Sequence, residues 1–301
     1  MSTRPEIMMA QPKPEAACCG DDCCDGTKSV AARVDSSETL TPKTDVRGVV
    51  RERYGAIAQG QSCGCGCGCG PDDAERILAQ LGYTAEQAAA LPEGANLGLG
   101  CGNPIAHAEL KAGETVLDLG SGAGIDCFLA AREVGVAGHV IGVDMTPQML
   151  ERARANNAKY GASHVEFRLG EIEHLPVADG SVDAIISNCV VNLSPAKAQV
   201  FAEAYRVLKP GGRLLLSDLV LTRELSAAMQ ANVDLYIGCV AGASQKNEYL
   251  QLIRDAGFAD VSIVAEDGYD VGTSALAEGS PERDAFAAVR SVKVRARKAA
   301  A

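Results

Sequence analysis

The chain has 301 residues, a formal net charge of −11 and a pI near 4.9, enough for one large domain or two smaller ones. Hydrophobic residues make up 47% and aromatics only 4%, with Trp absent, so a full core can form while recognition by stacking on bases is disfavoured. A nucleic-acid partner would need a basic stripe, and the nearest stretch, Val292–Lys298 (VKVRARK), alternates like an edge strand.

The opening MSTRPEIMMAQPKPEAACC has no apolar h-region, so no secretory signal is expected. No run of 18 apolar residues exists, so no membrane span is expected either. The chain is expected in the cytosol, where thiols stay reduced. There the twelve cysteines are unusual, with eight in the first 70 residues. Clustered cysteines in a reducing compartment point to metal, metalloid or redox chemistry.

Residues 1–45 are rich in Pro, Asp, Ser and Thr and read as a disordered tail. Its CCGDDCC, with Cys18, Cys19, Cys23 and Cys24, is either a loose thiol-rich tail or a soft-ion scavenging site. Residues 46–104 read as a helical, Cys-rich segment. Val46–Ile57 has helical spacing. In SCGCGCGCG an extended chain would put Cys63, Cys65, Cys67 and Cys69 on one side, although low complexity alone explains the pattern. Asp72–Gln80 and Thr84–Ala90 read as short helices around Gly82. Asn96–Pro104 (NLGLGCGNP) is a Gly-rich loop carrying Cys101.

From about residue 105 strands and helices alternate. Strands are expected at Thr115–Leu119, His139–Val143, Val165–Leu169, Val182–Ser187, Arg213–Asp218, Val261–Ala265 and Val292–Ala296. Helices are expected at Gly124–Val134, Pro147–Tyr160, Pro195–Leu208 and Ser226–Leu235, with Gly268–Arg290 less regular. Apolar strands separated by helices indicate βαβ units and a parallel sheet. The expected fold is α/β, a Rossmann-like domain over residues 105–222 with a smaller α+β region over 223–301.

Glu114–Gly124 (ETVLDLGSGAG) is a strand, a Gly loop and a helix start, the cradle of Rossmann-type folds. Its spacing departs from GxGxxG, because Ile125 stands where a Gly would be needed. Asp118 at the strand end would repel a pyrophosphate and attract an ammonium group. S-Adenosylmethionine carries an amine and a positive sulfur and no phosphate. Asp144, ending the next strand, suits ribose hydroxyls, and Leu169–His174 (LGEIEH) would border the adenine. Taken singly, Asp118 and Asp144 could be capping carboxylates; the ordered set favours the cofactor. The residues expected at this site are Asp118, Gly120, Ser121, Gly122, Gly124, Asp144, Met145, Gly170, Glu171, Ile172 and Asn188. With VIGVDMTPQML and YRVLKPGGRLLLSD, residues Gly113–Val220 resemble class I S-adenosylmethionine-dependent methyltransferases. That resemblance implies a seven-stranded sheet with one antiparallel strand.

After the fourth strand stands Ser187-Asn188-Cys189-Val190, without the Pro pair and aromatic of enzymes that methylate planar nitrogens. None of His107, His139, His164 and His174 sits in an obvious base constellation. The chain offers thiols instead: Cys189 at the strand end, Cys239 in YIGCVAGA and Cys101 in the Gly-rich loop. Burial for packing is the plain alternative for each, and Cys127 is assigned to it. NLGLGCGNP, SNCVVNLSP and YIGCVAGA, in this order, resemble the microbial arsenite methyltransferases over about residues 46–266. The resemblance implies that Cys189 and Cys239 hold trivalent arsenic with Cys101 as a third thiol. It also implies that an upstream cysteine, one of Cys63, Cys65, Cys67 or Cys69, can form a disulfide with Cys101. Soft arsenic suits thiolates, and its lone pair can attack the sulfonium methyl without a general base. The expectations are therefore arsenite and methylarsenite as substrates, no metal cofactor, thioredoxin or glutathione as reductant, and a monomer. The rivals are a methyltransferase of a small organic acceptor such as a quinone, and a metal-binding or metal-sensing protein.

Overall fold

The computed structural model describes residues 39–41, 43–60, 71–269 and 278–300. The cysteines at 18–24 and 63–69 lie outside the described residues. Seven strands form one sheet: β1 (Thr115–Leu119), β2 (His139–Asp144), β3 (Val165–Leu169), β4 (Val182–Asn188), β5 (Leu208–Leu221), β6 (Ala259–Gly268) and β7 (Val289–Arg297). Their order across the sheet is β3-β2-β1-β4-β5-β7-β6. The first five strands are mutually parallel, and β7 runs antiparallel to both β5 and β6.

The parallel strands are apolar on both faces because helices cover both. In β4, Ile185 belongs to one core layer while Ala184 and Ile186 belong to the other, the period-two alternation of a strand. On one face α4 (Ile125–Val134) and α5 (Pro147–Tyr160) bury Phe128, Ala131, Leu150 and Ala153. On the other, α6 (Lys197–Val207) and α9 (Lys246–Asp255) bury Phe201 and Tyr249, whose rings meet edge to face at 5.6 Å. Three helices precede the sheet: α1 (Val46–Ala58), α2 (Pro71–Gln80) and α3 (Ala85–Ala89). The short α7 (Ala227–Gln230), α8 (Val233–Ile237) and α10 (Pro281–Ala287) complete the described α-helices.

Several sequence expectations change. The basic tail strand is not at an edge: β7 lies between β5 and β6, and β6 is the edge. Its inward Lys293 is nearly buried because Asp267 and Ser291 hold its ammonium at 2.7 and 3.2 Å. The expected helix Ser226–Leu235 is broken into α7 and α8, because Asn232 leaves helical geometry and its side chain caps α8 by accepting from Leu235 N–H. β5 is longer than expected. Val182 pairs with Leu208 and Ala184 with Arg213, so Lys-Pro-Gly-Gly bulges out within it. Helices α9 and α10 were not expected from the pattern. The tail's last residues also make contacts: Leu40 N–H donates to Ala231 O at 2.7 Å, and Asp45 caps α1 through Gly48 N–H. Strands on both sides of residue 222 belong to the one sheet.

Candidate active site

A cavity opens at the C-terminal ends of β1, β2 and β4, where loops of a parallel sheet diverge. Its walls come from the loop after β1, Asp144–Thr146, Gly170 with Ile172 and Glu173, and Asn188–Val190. α1 closes one side with Arg47, Val50 and Tyr54, and residues 95–100 and 237–239 close another.

The Gly loop is shaped by contacts that exclude side chains. Gly120 has φ +68°, and a Cβ there would lie 2.3 Å from Val190 Cγ2. Gly122 has φ +51°, and a Cβ there would meet nothing, so its backbone faces open space. The N–H groups of Gly120 and Ser121 both donate to Val143 O, at 2.8 and 3.0 Å. The buried Ser121 hydroxyl has no partner, an arrangement that a ligand would satisfy.

Three buried carboxylates face this loop: Asp118, Asp126 and Asp144. Burial pushes Asp118 well above the usual carboxylate range, and the negative charges of Asp126 and Asp144 push it further. Its carboxylate accepts from the Cys127 thiol at 3.2 Å. Asp126 is pushed up to about 6 by burial, opposed by hydrogen bonds from Tyr83 and Asn188. Burial also raises Asp144, which accepts from Gly122 N–H at 2.9 Å and Thr146 N–H at 2.8 Å. Asp144 therefore clamps the loop as a cap would, while its edge still lines the cavity. Among the described residues no lysine or arginine is a principal influence on the protonation of these three carboxylates. Acidic groups held this way favour a cationic guest.

Of the expected donor-site residues, Asp118, Gly120, Ser121, Gly122, Asp144, Met145, Gly170, Ile172 and Asn188 line the cavity. Gly124 and Glu171 do not. Gly124, at φ +98°, begins α4, where a Cβ would collide with Phe128 and Phe167. Glu171 turns away to pair with Arg51 at 3.3 Å and Arg47 at 3.7 Å. Sequence reasoning missed Asp126 and Tyr83, and it placed Glu173 only within the Leu169–His174 loop expected beside the adenine. The signal for Asp126 was its place in the first turn after the Gly loop. Glu173 lies in that expected loop, and Arg47 at 3.0 Å and Ser194 at 2.6 Å hold it at the cavity. Among the described residues no histidine lines the cavity.

At the α8 end of the cavity the three expected thiols meet. Cys189 and Cys239 line it, and Cys101 lies behind them, 2% exposed. The sulfurs of Cys101 and Cys189 and a carboxylate oxygen of Asp218 lie within 4.8 Å of one another. The Cys189 thiol interacts with both other thiols, and Cys239 Sγ donates to Cys189 O at 2.8 Å. Cys189 and Cys239 have φ of +59° and +63°. That left-handed backbone costs a non-glycine residue about 1–3 kcal/mol and collects at functional sites. Burial pushes the Cys101 and Cys189 thiols up, and for Cys189 the neighbouring thiols add to it. Cys127 sits apart in α4, fully buried.

A β3-β2-β1-β4-β5-β7-β6 sheet with a Gly loop, an acidic end on β1 and a second acid on β2 defines a class I S-adenosylmethionine-dependent methyltransferase. Residues 110–257 match the family described as a methyltransferase domain. The arsenite methyltransferase of Halobacterium salinarum is 48% identical over 91% of this chain and 73% of its own length. That of Aquipseudomonas alcaligenes is 45% identical over 60% of this chain, which spans about half (53%) of it. The crystal structure of an arsenic(III) S-adenosylmethionine methyltransferase from Chlamydomonas reinhardtii superposes with a TM-score of 0.58 at 36% identity, covering 76% of this chain and 74% of that one. The chain belongs to the arsenite methyltransferase family.

Proposed function

We propose that the protein transfers a methyl group from S-adenosylmethionine to arsenite, held by the sulfurs of Cys101, Cys189 and Cys239, and in turn to methylarsenite. The observation that supports this most is the meeting of those three thiols at one end of the donor cavity. On this reading residues 105–222 bind the donor, while 46–104 and 223–301 supply Cys101 and Cys239.

When bound, S-adenosylmethionine supplies a methyl group on a positively charged sulfur. Its amine and sulfonium suit Asp118, Asp126 and Asp144; Ser121 and Gly122 offer an unpaired hydroxyl and an open backbone. Met145, Gly170, Ile172 and Asn188 complete the wall.

Raised by burial, Cys101 and Cys189 are neutral thiols at pH 7. Each As–S bond therefore forms as one As–OH bond breaks, the thiol proton leaving with hydroxide as water. Three exchanges release three waters and leave arsenic with its lone pair, which is the nucleophile. No proton has to be removed from it, so no general base and no metal cofactor are required. The protein contributes mainly positioning. Methyl transfer takes arsenic from the trivalent to the pentavalent state. For its return an upstream cysteine's sulfur bonds to the Cys101 sulfur as the As–S bond to Cys101 breaks, the electron pair staying on arsenic and the upstream thiol's proton going to solvent. Trivalent methylated arsenic stays on Cys189 and Cys239, and thioredoxin or glutathione reduces the disulfide. The setting is a monomer in the reducing cytosol, and the outcome is arsenic detoxification.

The test is incubation with arsenite, S-adenosylmethionine and a thiol, with arsenic species separated by chromatography. Methylated arsenicals are expected. Cys189→Ser and Cys239→Ser should abolish them while S-adenosylhomocysteine still binds. Unchanged arsenite turnover by Cys189→Ser would refute the assignment.

A further inference from the structure

The donor cavity and the thiol site share one hydrogen-bonded hub. Asn188 Oδ1 accepts from Cys101 N–H at 3.0 Å. Asn188 Nδ2 lies within donating distance of Gly102 O at 2.8 Å, Tyr83 Oη at 2.9 Å and Asp126 Oδ2 at 3.2 Å. Tyr83 O–H in turn donates to Asp126 Oδ1 at 2.8 Å. Asn188 thus brackets Cys101 and Gly102, accepting from the N–H of the first and donating to the C=O of the second, and also reaches the carboxylate that lines the donor cavity. Gly100, at φ +116°, lets the loop pack on it: a Cβ there would lie 3.0 Å from Asn188 Nδ2.

The hub is one proton short. An amide NH2 carries two hydrogens and a phenol one, yet four acceptor contacts compete for them. The Asp126 Oδ2 contact is the longest and is the one that goes unmet or shared. Tyr83 is 5% exposed and Asp126 2% exposed, so the shortage is met only from the cavity side, where a charged N–H bonds a carboxylate more strongly than water does. A cationic N–H donor arriving in the cavity at Asp126 would. Asn188 would then be free to give one hydrogen fully to Gly102 O and the other to Tyr83.

We infer that Tyr83 is a positioning residue which, through Asp126 and Asn188, couples occupancy of the donor cavity to the seating of the Cys101 loop, so that the two ligands bind with positive cooperativity. Tyr83 does not itself line the cavity; it acts by presenting its hydroxyl to Asp126 and Asn188, which do. This rests on the reading of the cavity as the donor site and of Cys101 as an arsenic ligand. The sign follows from the proton count: a donor gained at Asp126 tightens the Cys101 loop, and by linkage an ordered loop favours the donor equally.

The experiment is equilibrium binding of arsenite to the full chain, with and without saturating S-adenosylhomocysteine, which keeps the amine but cannot methylate. The wild type should bind arsenite 5-fold or more tightly when the cavity is filled, and S-adenosylhomocysteine should show the same factor with arsenite present. Tyr83→Phe keeps the ring in the core and removes only the hydroxyl; its factor should fall to within 2-fold of one. Asp126→Asn should lower the factor as well. A residue that served stability alone would lower the melting temperature of Tyr83→Phe and leave the factor intact, and that result overturns the inference. So does a wild-type factor of one. Failure of the wild type to bind arsenite at all would instead overturn the functional reading beneath it.

Discussion

Gly120→Ala tests how tightly the Gly loop and the thiol strand end are joined. Gly120 sits at φ +68°, where a side chain costs about 1–2 kcal/mol. Its new Cβ would lie 2.3 Å from Val190 Cγ2, 2.7 Å from Cβ and 3.1 Å from Cγ1. Overpacking of that kind costs about 1–3 kcal/mol, which brings the expected loss to about 2–5 kcal/mol. Val190 directly follows Cys189, so the collision is relieved by moving the residue beside a thiol. A shift of about 1 Å at such a place costs on the order of 100-fold in rate. Urea unfolding reads the first quantity and arsenite turnover the second. The double variant with Val190→Ala should recover about 1 kcal/mol, because two of the three contacts go while the Cβ contact and the backbone strain remain. Stability of Gly120→Ala within about 0.5 kcal/mol of wild type, or strict additivity in the double variant, would refute the reasoning.

Asp218 supports a pH prediction. Burial lifts it to about 6, opposed by Leu219 N–H, Tyr249 and Lys197. An unfolded Asp titrates near 3.9, so between about pH 4 and 6 the folded state holds the extra proton and stability falls as pH rises. The group costs about 3 kcal/mol once ionised. Urea midpoints measured from pH 4 to 7 should show Asp218→Asn gaining on wild type as pH increases; parallel curves would count against it. A second prediction concerns the N-terminus. Deleting residues 1–38 should leave arsenite turnover unchanged at low arsenite. Deleting 1–45 should lower stability by about 1 kcal/mol more, since it removes the Asp45 cap and the Leu40–Ala231 hydrogen bond; equal melting temperatures for the two truncations would contradict this.

The sequence by itself determined the βαβ alternation, all seven strands and the position of the Gly loop after β1. These are local matters: apolar runs of strand length, 3.6-residue spacing and glycines where the backbone must turn. It also determined which cysteines carry family context, because each sits in its own short motif. It did not show the interior place of β7, since alternating Val and Lys or Arg looks the same at an edge as beside β6. α9 escaped notice because its buried face is only Tyr249 and Ile253. Only the tertiary structure brought Cys101, Cys189 and Cys239 from three distant segments to one end of a cavity and gave two of them left-handed backbones. The Tyr83–Asp126–Asn188 hub was equally hidden, its members lying up to 105 residues apart. Such contacts follow from sheet order and register, which place strand ends side by side; no periodicity along the chain encodes which side chains then meet.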